Sequence, residues 1–223
     1  MSFVEYIYGH GNLVPMLALS QILEYKIVAI LRGIQSKDIL SIVNALHDGG
    51  VKIVEVTLNS AGALSVIENL SNTLGDKVLI GAGTVLNTTD AKNAIAAGAK
   101  FLISPSLDID VIKAAKNADV VSIPGAFTPT EILMAFRHGA DIVKIFPALN
   151  SDYIKNILAP LNHIPVMPTG GINLENIKEF NKTGAVAFGI GSSLADNKTI
   201  INELYLQNLT AKSRKFIEAV NYK

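Results

Sequence analysis

The chain has 223 residues, enough to bury one large core, and 49% of them are hydrophobic. Nineteen basic residues balance nineteen acidic ones, so the cationic excess that a general nucleic-acid binder needs to neutralise phosphates is missing. With no cysteine, disulfides and thiolate metal sites are excluded, and the scattered His10, His47, His138 and His163 make no ligand spacing.

Residues 1–12 lack a basic n-region and carry Glu5 and two tyrosines, a poor match to a signal peptide. No apolar run is long enough to cross a bilayer, and a cytoplasmic protein is expected. Residues 12–25 read as a helix, so that 1–26 form an N-terminal arm and helix. Eight short, nearly continuous apolar runs follow, at 27–31, 53–57, 78–81, 101–104, 120–123, 142–145, 166–168 and 186–189. Runs of this kind suit parallel strands covered on both faces.

Between them lie helical patterns with polar caps before and glycine after. Ser36 precedes 37–47, and Asn87 or Thr88 precedes 90–97. Thr128-Pro129 opens 130–138 with Glu131 three residues after the cap, and Asn173 precedes 174–182. A Gly-Ala or Gly-Val step recurs before strands at Gly50, Gly98, Gly139 and Gly184, a weak repeat of roughly one βα unit. The stretch 194–221 reads as a closing helical region. Eight βα units without a G-x-G-x-x-G after the first strand favour an α/β fold of the (β/α)8 TIM-barrel type, as one domain over 1–223, rather than a dinucleotide-binding sheet.

In such a barrel the active site lies at the C-terminal ends of the strands. Those positions hold Arg32, Glu55, Gly83-Thr84, Ser104-Pro105, Lys144, Thr169-Gly170-Gly171 and Gly189 to Ser192. Lys144 sits in Ile-Val-Lys-Ile-Phe, where burial would lower its pKa and make the amine nucleophilic; a lysine satisfied by a buried carboxylate reads equally well. Glu55 sits in Ile-Val-Glu-Val-Thr and needs a partner when buried, as a proton shuttle or as half of a structural ion pair with Lys144. The glycine clusters after strands seven and eight suggest a phosphate site, since backbone can approach an anion closely there. Arg32 could hold a carboxylate through its guanidinium fork. Thr84 and Ser104 could orient a keto acid or simply start the next segment.

The stretches 27–34, 54–58, 81–86, 103–105, 123–132, 143–148, 168–172 and 191–194, in this order, resemble the 2-keto-3-deoxy-6-phosphogluconate aldolase family, which includes 4-hydroxy-2-oxoglutarate aldolases. The resemblance implies a homotrimeric barrel with no metal and no organic cofactor, acting on a phosphorylated 2-keto acid. It implies a class I aldolase that cleaves 2-keto-3-deoxy-6-phosphogluconate to pyruvate and glyceraldehyde 3-phosphate. Lys144 would be the Schiff-base lysine and Glu55 the general acid/base. Thr84, Pro105 and Phe146 would line the keto-acid site, with Gly170, Gly171, Gly191 and Ser192 at the phosphate.

Many members carry arginine where this chain has Asn59, while others have it after the first strand, as Arg32 here. The Leu58-Asn59-Ser60 stretch resembles phosphogalactonate-specific relatives, whereas Thr169 is closer to the phosphogluconate version. A phosphosugar isomerase without a covalent intermediate, or a non-catalytic binder, are the competing readings of the same scaffold.

Overall fold

The computed structural model describes residues 13–221; the arm expected over 1–12 lies outside them. Helix α1 (Leu13–Tyr25) leads into strand β1 (Ile27–Leu31). Then follow α2 (Ile39–Asp48), β2 (Ile53–Thr57), α3 (Ala63–Leu74), β3 (Leu79–Gly83), α4 (Thr88–Ala96), β4 (Phe101–Ile103) and α5 (Ile109–Asn117). The second half comprises β5 (Val121–Ile123), β6 (Gly125–Ala126), α6 (Pro129–Arg137), β7 (Val143–Ile145), α7 (Ser151–Leu158), β8 (Val166–Pro168), α8 (Ile177–Asn181), β9 (Phe188–Ile190) and α9 (Glu203–Asn221).

All strand pairs are parallel. Six strands form a curled sheet in the order β5-β4-β3-β2-β1-β9, and three form a second in the order β6-β7-β8. The break falls at Pro124, which has no N–H to give the ladder. The edges nevertheless meet. Asp141 N donates to Ser122 O (3.0 Å) and Lys144 N to Pro124 O (2.9 Å) on one side. On the other, Thr169 bridges Gly189 in parallel and Val186 N donates to Val166 O (3.0 Å).

Successive strand residues face opposite sides of a sheet, and this alternation divides the core in two. Ile27, Ala29 and Leu31 pack outward against helices such as α2 and α9 through Leu46 and Phe216. Val28, Ile53, Phe101, Ile103, Val121, Ile123, Ile142 and Met167 pack together on the other face, where Ala18, Leu19 and Ile22 of α1 join them. Helix α1 therefore closes the apolar, N-terminal end of the inner face.

Three of the eight expected strands, 27–31, 53–57 and 166–168, match the observed limits. The third runs on to Gly83, because Gly81 and Gly83 still pair with Glu55 and Thr57. The last lies at 188–190, in register with β1. Thr128 caps α6 with the reciprocal Glu131 capping box, and Asn87 caps α4 by accepting from Asp90 N. Ser36 does not cap: α2 starts at Ile39, after Asp38, without a side-chain cap bond. Asn173 accepts from Glu175 N (2.9 Å) and Asn176 N (3.1 Å), but it closes a turn, and α8 begins only at Ile177. The helical part of 194–221 begins at Glu203.

Candidate active site

The inward parity of Val28, Ile53 and Ile142 continues to Arg32, Glu55 and Lys144. One cation beyond the end of β1, one carboxylate in β2 and one amine in β7 therefore lie above the apolar layer, at the carboxyl ends of the strands. A cavity of about 410 Å³ opens there. Its walls include Arg32, Lys144, Phe146 and Thr169, with Gly170 and Gly171 after β8 and Gly191 and Ser192 after β9. Eight of the eleven expected site residues thus share one space.

Glu55 lies beneath it, 1% exposed. Thr84 and Pro105 are half-buried at the ends of β3 and β4 and do not line this cavity. Thr84 is nonetheless unusual: it holds φ +58, costly for a β-branched residue and typical of functional turns. Ser104, which could have oriented a ligand, donates its hydroxyl to Val85 O (2.7 Å) and so braces the loop carrying Thr84.

Lys144 is 4% exposed, with its Nζ 5.0 Å from the centroid of the Phe146 ring. Burial is the main reason its pKa falls below that of an ordinary lysine. The Glu55 charge opposes this fall and Arg32 adds to it. Burial likewise raises the Glu55 carboxyl, against the attraction of Lys144 and Arg32. Among the described residues the two make no direct ion pair, and Glu55 Oε2 has no hydrogen-bond partner. An unsatisfied buried carboxylate oxygen is expensive, and it leaves Glu55 free to handle a proton.

Glycines make the room. A Cβ at Gly83 would lie 1.6 Å from Glu55 Oε1, and one at Gly189 would lie 2.3 Å from Thr169 Oγ1. Gly170 and Gly171 hold φ +92 and +77, and a Cβ on Gly170 would press on the Phe146 ring at 3.2 Å. Ser193 Oγ donates to Ile172 O (2.5 Å), tying the two glycine loops together. Consecutive left-handed residues beside a turn of backbone amides suit an anion.

Two residues with no forecast role stand beside Arg32. Asn197 lines the cavity and donates from Nδ2 to Arg32 O (2.9 Å), while Ser60 Oγ accepts from Gly33 N (2.8 Å). Both lie in polar loops whose sequence resembles any turn. The nearest sequence signals were the Leu58-Asn59-Ser60 stretch and the position of Asn197 shortly after the second glycine cluster.

The opposed charges give a testable sign. Arg32→Gln removes a cation that lowers the Lys144 pKa, so the titration of Lys144 moves to higher pH. Glu55→Gln removes an anion that raises it, so the titration moves to lower pH. Competitive acetylation of Lys144 across pH, read by peptide mass, measures both, and shifts in the same direction would contradict this arrangement.

Among the described residues no group of three or more His, Asp or Glu side chains could hold a metal, and no helix is long and apolar enough to cross a membrane.

The fold and this cavity have clear relatives. The family model described as KDPG and KHG aldolase matches residues 19–211. The 2-dehydro-3-deoxy-6-phosphogalactonate aldolase of Escherichia coli is 36% identical over 171 residues, 75% of this chain and 83% of its own. The 2-dehydro-3-deoxy-phosphogluconate aldolase of Haemophilus influenzae is 33% identical over 180 residues, 79% of this chain and 84% of its own. A solved KDPG aldolase from Legionella pneumophila, with pyruvate captured as a covalent carbinolamine intermediate, superimposes with a TM-score of 0.73 at 27% identity, covering 91% of this chain and 96% of that one. The match of the family model across most of the chain, together with these relatives, means that this protein belongs to the KDPG and KHG aldolase family and is an aldolase, hence a lyase.

Proposed function

We propose that the protein is a class I aldolase that cleaves 2-keto-3-deoxy-6-phosphogluconate to pyruvate and glyceraldehyde 3-phosphate through a Schiff base on Lys144. The observation that carries this is the single cavity joining Lys144, Arg32 and the two glycine loops, which offers one nucleophile between a carboxylate-binding cation and a phosphate cradle. Lys144 attacks C2 of the keto acid, and loss of water leaves an iminium that withdraws electrons from C3. Glu55, through water, takes the C4 hydroxyl proton; the C3–C4 bond breaks, its electron pair forms the enamine, and the aldehyde leaves. Glu55 returns the proton to C3, and water hydrolyses the iminium to release pyruvate. A buried carboxyl with a raised pKa is suited to both halves of that exchange. Covalent capture of pyruvate in the Legionella pneumophila relative is consistent with it.

In this reading Arg32 holds the substrate carboxylate and Phe146 and Thr169 line the keto-acid carbons, with Thr84 and Pro105 at the far rim. Gly170, Gly171, Gly191 and Ser192 bind the phosphate. The nine strand segments count as eight staves, β5 and β6 being one stave broken at Pro124, so the two sheets close into one barrel in a single domain. The chain works in the cytoplasm as a homotrimer without a metal or organic cofactor.

A second reading has a specific observation behind it. Position 59 is an exposed asparagine in the Leu58-Asn59-Ser60 stretch that resembles the phosphogalactonate-specific relatives, and Arg32 lines the cavity. Side-by-side kcat/KM values for the two C4 epimers, by coupled pyruvate release, decide between them. The gluconate epimer is expected to be the better substrate; the reverse order establishes the second reading. Failure to release pyruvate from either epimer, or from 4-hydroxy-2-oxoglutarate, overturns both.

A further inference from the structure

Among the described residues, no carboxylate pairs directly with the Arg32 guanidinium. The side chain is exposed, so its anchor is the backbone, which is gripped from two sides. From β2, Thr57 Oγ1 donates to Leu31 O (3.4 Å) and bonds Ser60 Oγ (3.0 Å), which accepts from Gly33 N (2.8 Å). From the loop after β9, 165 residues away in sequence, Asn197 Nδ2 donates to Arg32 O (2.9 Å).

The fit leaves no slack. Gly33 holds φ +66, and a Cβ there would lie 2.8 Å from Asn197 Nδ2. Asn197 is also a partition. One side of it faces the cavity with Lys144. The other faces a second cavity, of about 310 Å³, bounded by Gly33, Lys37 and Lys198. It follows closely on the turn in which Leu194 N and Ala195 N both donate to Gly191 O (2.9 and 3.0 Å), so one short segment reaches from the glycine loop to the carbonyl of Arg32.

We propose that Asn197 and Ser60 are positioning residues for substrate recognition, a two-sided clamp on the Arg32 backbone that fixes the spacing between the carboxylate-binding cation and the phosphate-binding glycines. The proposal rests on the reading of Arg32 as the carboxylate holder. It makes the protein selective for the distance between the substrate's carboxylate and its phosphate: a loosened clamp lets Arg32 drift while leaving Lys144 and Glu55 where they are. Neither residue need touch the reacting carbons.

Calorimetric titration of the intact protein with pyruvate tests the clamp, because pyruvate carries the carboxylate and no phosphate. Arg32→Gln, which removes a charge-assisted contact, should weaken binding at least tenfold. Asn197→Ala and Ser60→Ala, each removing one neutral hydrogen bond, should weaken it about fivefold. In the double variant Arg32→Gln/Asn197→Ala the effects should not multiply, binding staying within about twofold of Arg32→Gln alone, because Asn197 acts through Arg32. A general loss of structure would instead multiply with it and lower the thermal midpoint. Asn197→Asp keeps the shape but not the donor, and should weaken binding at least as much as alanine, which guards against a folding failure of the alanine variant.

Three results overturn the clamp. Multiplicative effects in the double variant would do so, as would unchanged pyruvate binding in Asn197→Ala and Asn197→Asp while Arg32→Gln weakens it. Unchanged binding in Arg32→Gln would remove the carboxylate role of Arg32 itself, and the clamp with it.

Discussion

Lys144→Ala abolishes aldol cleavage, with kcat falling by about 10⁴-fold or more, while the chain still folds. The magnitude follows from the loss of a covalent nucleophile for which nothing else in the cavity can substitute. No other lysine lines the cavity. The fold tolerates the change because a buried amine contributes little to stability; its desolvation is already the largest influence on its pKa. The consequence for Glu55 also has a definite sign. Lys144 is the larger of the two cationic influences holding that carboxyl down, so its removal pushes the Glu55 pKa further up. Steady-state pyruvate release, with a circular dichroism melt of the same sample, measures both parts. Substantial residual turnover would assign the chemistry to another group.

Gly83→Ala is expected to cost both stability and activity, although it adds only a single methyl group. The new Cβ would sit 1.6 Å from Glu55 Oε1, 2.3 Å from Cδ and 2.6 Å from Cγ, so the carboxyl must move or the strands must part. The φ of Gly83 is outside the left-handed region, so the penalty is steric, not a matter of backbone strain. Overpacking of this kind costs about 1–3 kcal/mol, a fall of several degrees in the thermal midpoint for a chain of this size. Displacement of the proton-transfer group by an ångström should lower kcat by about 100-fold. The same substitution at Gly191, where a Cβ meets nothing within 4 Å, is the matched control for stability. Equal melting of Gly83→Ala and the unsubstituted protein would show that Glu55 does not depend on this gap.

These two positions also show what could be read from sequence. Lys144 and Glu55 were legible because a charge inside a continuous apolar run is anomalous, and because strand alternation puts both on the face of Ile142 and Ile53 that the structure buries. The glycine loops were legible as clusters after the last two strands. The role of Gly83 was not, since it depends on the register that sets Gly81 beside Glu55 and Gly83 beside Thr57. The clamp on Arg32 was invisible for a similar reason, as its bonds span 27 and 165 residues.

Element limits failed where local signals mislead. Ser36 looks like a cap, yet the helix waits for Asp38. Asn173 caps a turn that only later becomes a helix. Helix α3 enters through Gly62 with no side-chain cap at all, and nothing in the sequence marks its start.

The central claim is covalent chemistry at Lys144, and it can be tested without knowing the sugar. The purified protein is incubated with pyruvate and sodium borohydride, the intact chain is weighed, and the modified peptide is mapped, with Lys144→Ala treated in parallel. One reduced pyruvyl adduct per chain is expected, located on Lys144 and absent from the variant. An unmodified chain, under conditions that label an authentic Schiff-base aldolase, or an adduct on any other lysine, would contradict it.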